Sequence, residues 1–149
     1  MIKLKQPIII VAIIVILNSC GLEQGHQKTA DELRLELKMQ EQSSPTRYLS
    51  ATGSMKQNIT REPDLFHHTE TDGYIISGTI KNTSTIAKFK DVIVTVNYLS
   101  ETQTVIESKE YVLYKYFSPN SETLFNYKVY PPEGFKDFSV DIKGATPVN

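Results

Sequence analysis

Tryptophan is absent from this chain of 149 residues, and cysteine occurs once, at position 20. A single thiol cannot close a disulfide within the chain, so any domain it forms must be held by its core alone. An excess of charge of one sign is missing as well, since 16 lysines and arginines stand against 17 aspartates and glutamates. The lysines are scattered, whereas a nucleic-acid partner demands a continuous basic face, so no nucleic-acid partner is expected. There is no Gly-rich phosphate loop and no Gly-x-Ser-x-Gly elbow to present a serine nucleophile. The acidic residues occur singly, without the paired carboxylates that glycoside hydrolysis needs. The expectation is a protein that is not an enzyme and carries no cofactor. Internal repeats and low-complexity tracts are also lacking. One long apolar run exists, Ile8 to Leu17, and its ten residues fall short of the roughly 17–25 that a spanning helix requires.

Lys3 and Lys5 precede that run, and Asn18, Ser19 and Cys20 follow it, which is the charged, apolar, small-residue order of an export signal. Leu17-Asn18-Ser19-Cys20 resembles the lipobox of bacterial lipoproteins, although Asn18 replaces the usual small or aliphatic residue. The resemblance implies that residues 1–19 are a signal peptide, that Cys20 becomes the acylated first residue, and that the lipid ties the chain to a membrane. Gly21, rather than Asp, after the cysteine is similar to lipoproteins forwarded to the outer membrane, so the implied location is the bacterial cell envelope. An ordinary signal peptide with an incidental cysteine is the plainer alternative. Cleavage would leave 149 − 19 = 130 residues, with 14 basic against 17 acidic side chains. That length suits one domain and a tether.

Residues 21–28 are polar, contain two glycines and show no periodicity, so 20–28 reads as a lipidated, flexible tether. Thr29-Ala30-Asp31-Glu32 fits a capping box and predicts a helix over about 30–42, stopped before Pro45, within a short segment 29–45. Leu33, Leu35, Leu37 and Met39 alternate with charges as in a strand, but no β-branched residue occurs there and the composition is that of a helix.

From Tyr48 onward the chain breaks into short segments rich in Ile, Val, Thr, Tyr and Phe, divided by Gly, Pro, Asn, Ser and Asp. Strands are expected at about 48–57, 74–82, 90–99, 104–115, 122–130 and 136–144, six to seven in all. Val92, Val94, Val96 and Tyr98 share a face by period two, as do Tyr74, Ile76, Gly78 and Ile80, and the two faces should line one core. Phe125, Tyr127 and Val129, with Phe138, Val140 and Ile142, should supply the other side. The pattern predicts a mainly β domain over 46–149, an antiparallel β-sandwich with a short N-terminal helix.

Three stretches in this region look like the FxLYD-type domains of bacterial cell-envelope proteins: Ile76 to Ser84, Phe89 to Tyr98, and Phe117-Ser118-Pro119-Asn120-Ser121 before Phe125. The resemblance covers about residues 74–144. It implies an immunoglobulin-like fold in an exported or anchored protein and carries no catalytic residues. Leu99-Ser100 departs from the family pattern, and Asn120 stands in place of a turn glycine, a position that Asn tolerates at positive φ.

Two stretches are candidates for chemistry or binding. Residues 58–73 read as the longest irregular segment and hold Glu62, Asp64, His67, His68, Glu70 and Asp72. Adjacent histidines in extended chain point opposite ways and no third lies near, so an exposed polar connection is expected and no metal. Tyr111 to Phe117 is apolar on both faces, with Val112, Tyr114 and Tyr116 on one side and Tyr111, Leu113 and Phe117 on the other. The plainer expectation has one face in the core and the other covered by the 30–42 helix. The functional alternative is an open aromatic patch, with Tyr111, Tyr114 and Tyr116 contacting an envelope protein or stacking on a glycan. The function expected is a non-catalytic binding or scaffolding module for protein–protein interaction, with glycan binding as the alternative.

Overall fold

The computed structural model of the protein describes residues 27–149. The predicted signal segment 1–19, Cys20 and nearly all of the 20–28 tether lie outside the described residues. Thr29 opens the first helix, α1 (Ala30–Ser43). Its hydroxyl accepts from the Glu32 amide, and the Glu32 carboxylate accepts from the Thr29 amide at 2.7 Å, so two of the orphan donors of the first turn are satisfied. Pro45 cannot continue α1, yet it suits the first turn of a new helix, and the four-residue α2 (Pro45–Tyr48) follows. Tyr48 therefore belongs to a helix rather than to the strand expected there.

Six strands come next: β1 (Leu49–Arg61), β2 (Glu70–Asn82), β3 (Phe89–Leu99), β4 (Val105–Phe117), β5 (Ser121–Val129) and β6 (Asp137–Pro147). They pair antiparallel in two three-stranded sheets, ordered β1-β2-β5 and β4-β3-β6. The β1–β2 and β3–β4 links are hairpins, and the other three connections cross between sheets. The result is an antiparallel β-sandwich with β2 and β3 at the two sheet centres.

Val92, Val94, Val96 and Tyr98 of β3 are fully buried against Ile76 and Ile80 of β2. Burial of this apolar area, at about 25 cal/mol per Å², is the main favourable term where no disulfide contributes. The pairing of the remaining strands corrects one expectation. Phe125 and Val129 extend the inner face of the β2 sheet, while Phe138, Val140 and Ile142 extend that of the β3 sheet, so these residues form no separate wall. Gly78 sits where a side chain has no room, since a Cβ there would lie 2.1 Å from the Thr52 carbonyl oxygen and 2.6 Å from the Phe125 ring. At the turn before β5, Asn120 takes φ +51°, the left-handed conformation that Asn accepts in place of glycine.

The end of the sandwich near α1 is locked by buried polar groups. The side-chain amide of Asn82, fully buried, donates to the carbonyls of Ala87, Phe117 and Ser118 at 3.0–3.1 Å and accepts from the Ser84 amide. One side chain thus ties the β2–β3 loop to the end of β4. Glu41, 2% exposed, docks α1 onto the same loop by accepting from the amides of Thr85, Ile86 and Ala87 at 2.7–2.9 Å.

The opposite end corrects the reading of 58–73 as irregular. β1 and β2 run on past Tyr74, the last residue of β2 that pairs with β5, so the hairpin projects as a two-stranded arm. Only residues 62–69 lie between the strands. Both faces of the arm meet water, so its polar residues carry no hydrophobic alternation, and the strand extension left no signature in the sequence.

Candidate functional site

The candidate surface is built by an irregularity between β3 and β4. Lys90 pairs with Tyr116, and Val92 pairs with Leu113, so Tyr114 and Lys115 on β4 together oppose Asp91 on β3. Such a bulge re-aims side chains near its extra residue. Strict alternation would turn Lys115 inward with Leu113 and Phe117; the bulge instead leaves Tyr114, Lys115 and Tyr116 exposed in succession between two buried residues. Lys115 reaches sideways, and its Nζ donates to the Leu124 carbonyl at 3.1 Å. Asp91 supports the irregularity with φ +50°.

Tyr114 is 83% exposed and Tyr116 62%. The Lys88 ammonium lies 4.3 Å from the Tyr116 ring centroid, a cation–π contact that orients that ring. Tyr114 forms a ridge between two shallow clefts. One, of about 240 Å³, is lined by Lys90, Asp91, Lys115 and both tyrosines. The other, of about 180 Å³, lies between β4 and β5 and runs from Val112 to Tyr127.

The expectation that the 30–42 helix covers this face is corrected. α1 meets the domain through its last turns, where Glu41 and Gln42 bond the β2–β3 loop and the Val148 carbonyl, and Leu33, Leu35 and Met39 stay exposed. Docked there, α1 leaves Tyr114 and Tyr116 of β4 uncovered. Tyr111, grouped with Tyr114 and Tyr116 in the sequence, is separated from them. It is half-buried on the inner side, with its ring 4.8 Å from that of Tyr127. Burial first, then the nearby Tyr111 and Tyr114, raises the Tyr127 hydroxyl above the usual phenolic range.

The acidic and histidine residues of 58–73 are divided between the base and the tip of the arm. At the base, Asp72 pairs with Lys128 and accepts from the Tyr130 hydroxyl at 2.9 Å. The Lys128 hydrogen bond and then the Tyr130 one lower the Asp72 carboxyl below its ordinary value. At the tip, Asp64 accepts from the amides of Phe66 and His67 and from His67 Nδ1 at 2.8–2.9 Å. These contacts, led by the Phe66 amide, lower Asp64 as well. Among the described residues no three His, Cys, Asp or Glu side chains gather as a metal would need, and no helix is long and apolar enough to cross a membrane.

Sequence reasoning missed the tip itself. Leu65 and Phe66 are 95% and 89% exposed, the most exposed of the large apolar side chains among the described residues. Their signal was an apolar pair inside a polar stretch. It also missed Lys88, whose role depends on a ring brought near by strand pairing. No protein-family model matches the chain, and neither does any curated protein or solved structure.

Proposed function

We propose that this protein is a lipid-anchored, non-catalytic module of the bacterial cell envelope that binds another protein through the outer face of β4. The observation that carries the binding reading is the exposure of Tyr114 and Tyr116 side by side among lysines. Large aromatic side chains left in water on a stable domain mark interaction sites, and Tyr serves as an anchor because it offers apolar area and a polar tip together. The anchor reading rests on Leu17-Asn18-Ser19-Cys20 and the basic-apolar order before it. The envelope is inferred from that motif and the outer membrane from Gly21 after it, and the FxLYD resemblance over 74–144 is in keeping with an exported protein.

Glycan recognition is the second reading, favoured by one observation. The cleft beside the tyrosines is lined with Lys90, Asp91 and Lys115, polar groups suited to the hydroxyls of a stacked sugar. One pair of variants separates the two. Replacing Tyr114 and Tyr116 with Ala, followed by crosslinking in intact cells, should abolish a specific protein crosslink. Unchanged crosslinks with lost retention on a glycan column would select the glycan instead. Cys20→Ser should move the protein out of the membrane fraction without altering the melting of the sandwich; continued membrane association would overturn the anchor.

A further inference from the structure

Two exposed apolar surfaces lie at opposite ends of the sandwich and carry opposite charge. At the end of the arm, the turn that displays Leu65 and Phe66 is already shaped. The Asp64 amide donates to the His67 carbonyl at 3.1 Å, and the Asp64 carboxylate accepts from the Phe66 and His67 amides. The backbone that presents them is fixed in this way, so it loses little freedom on docking. Around them, Glu62, Asp64 and Glu70 stand against Arg61, a balance of 1 − 3 = −2 with the histidines neutral. At the other end, Lys88, Lys90 and Lys115 stand against Asp91 around Tyr114 and Tyr116, a balance of 3 − 1 = +2.

The two surfaces cannot meet within one molecule. Leu49 pairs with Asn82, whose amide bonds the Phe117 carbonyl next to Tyr116, so the start of β1 lies at the lysine-rich end. From Leu49 to Arg61 β1 then runs about 40 Å toward the tip.

Resting on the reading of the β4 face as a protein-binding surface, we infer that its partner is a second copy of this chain, whose Leu65-Phe66 tip seats against Tyr114 and Tyr116. The acidic rim of the tip then faces Lys88, Lys90 and Lys115. The two contacting surfaces differ, so the contact is heterologous, and repeated head to tail it gives open chains or rings. Charge sets the register, and the apolar tip supplies the anchor.

Sedimentation of the whole chain in detergent micelles, over a range of protein concentrations, tests this. The unaltered protein should grow past the dimer as concentration rises, and raising salt from about 0.1 to 0.5 M should weaken the growth. Phe66→Asp, which spoils the tip, and Tyr114→Asp, which spoils the patch, should each weaken association by at least about tenfold. Both sites are exposed, so neither change touches the core. An equimolar mixture of the two variants should form dimers and stop there, since each supplies one intact surface. Equal association of the variants and the unaltered protein would overturn the proposal, as would a mixture that stays monomeric while the unaltered protein associates. A protein that is monomeric throughout, yet loses a crosslink to a different envelope protein on Tyr114→Ala, would overturn self-association and leave the protein-binding reading intact. Loss of neither would sink both.

Discussion

Two carboxylates in this molecule do the same thing in different surroundings. Glu41 accepts three backbone amides of the β2–β3 loop and is nearly inaccessible to water; Asp64 accepts two backbone amides of the arm tip and stands in solvent. At Glu41 water has little access, so losing the carboxylate strands the buried Ala87 amide, at about 1–3 kcal/mol, and weakens the half-shielded contacts of Thr85 and Ile86. At Asp64 water replaces whatever is lost. Hydrogen bonds of one kind therefore hold the fold together at one end and only shape a surface at the other. The same contrast separates the Asn82 network from the exposed Asp72–Lys128 pair, which as a surface ion pair contributes little to stability.

The sharpest way to break this comparison is Asn82→Ala. The Phe117 carbonyl would lose this donor and the buried Ser84 amide its acceptor, while the Ala87 and Ser118 carbonyls keep the Ser84 and Ser121 hydroxyls, a loss of roughly 3 kcal/mol in all. For a domain of this size that lowers Tm by about 12–24 °C, and thermal unfolding followed by circular dichroism would read it. A drop of only a few degrees would show that water enters the site.

Glu41→Gln comes next, with an expected loss of about 1–2 kcal/mol in urea unfolding, because charge-assisted bonds are stronger than neutral ones. Burial alone would raise the Glu41 carboxyl, but the amides of Thr85, Ile86 and Ala87 outweigh it and the net shift is downward. A carboxylate whose pKa is depressed by folding stabilises the native state above its unfolded value, and that contribution fades as pH falls through the folded value. Acid should therefore loosen α1 from the sandwich below the usual carboxylate range, and the Gln variant should lack that part of the pH dependence. Hydrogen exchange at Thr85, Ile86 and Ala87 across an acid titration measures both.

Tyr98→Phe tests the rule from the other direction. Among the described residues the buried Tyr98 hydroxyl has no partner in hydrogen-bonding geometry; burial first, and then the neighbouring Tyr111 side chain, push it well above the usual phenolic range. Removing a buried, unpaired group should be neutral or stabilising by up to about 1 kcal/mol. A clear destabilisation in urea unfolding would reveal a partner that the geometry lacks.

The smallest effect on stability is expected at Asp64→Ala, an exposed surface change that should leave the urea-unfolding midpoint nearly unmoved. Its consequence should be local, with faster amide exchange at Phe66 and His67 while the core amides stay unchanged. A large fall in stability would mean that the arm matters to the fold.

Much of the architecture was legible beforehand because it rests on local rules. Period two placed Val92, Val94, Val96 and Tyr98 on one buried face, and Thr29 with Glu32 marked the start of α1. Asn120 kept its turn by tolerating positive φ. What escaped was non-local or unpatterned. Strand pairing in the arm leaves no trace in a polar sequence, the bulge opposite Asp91 depends on the register of β3 and β4, and the β4 face stays open because Glu41 fastens α1 elsewhere.

By itself, the order of residues determined the fold class, the helix start and the inward faces of the strands, since propensity and periodicity act over a few neighbours. Only the tertiary structure decided which polar residues are buried and which apolar ones stand in water. Glu41 and Asn82 carry no local mark of their fate, and the sequence around Tyr114 allowed either a covered or an open face, because burial depends on what the rest of the chain brings beside them.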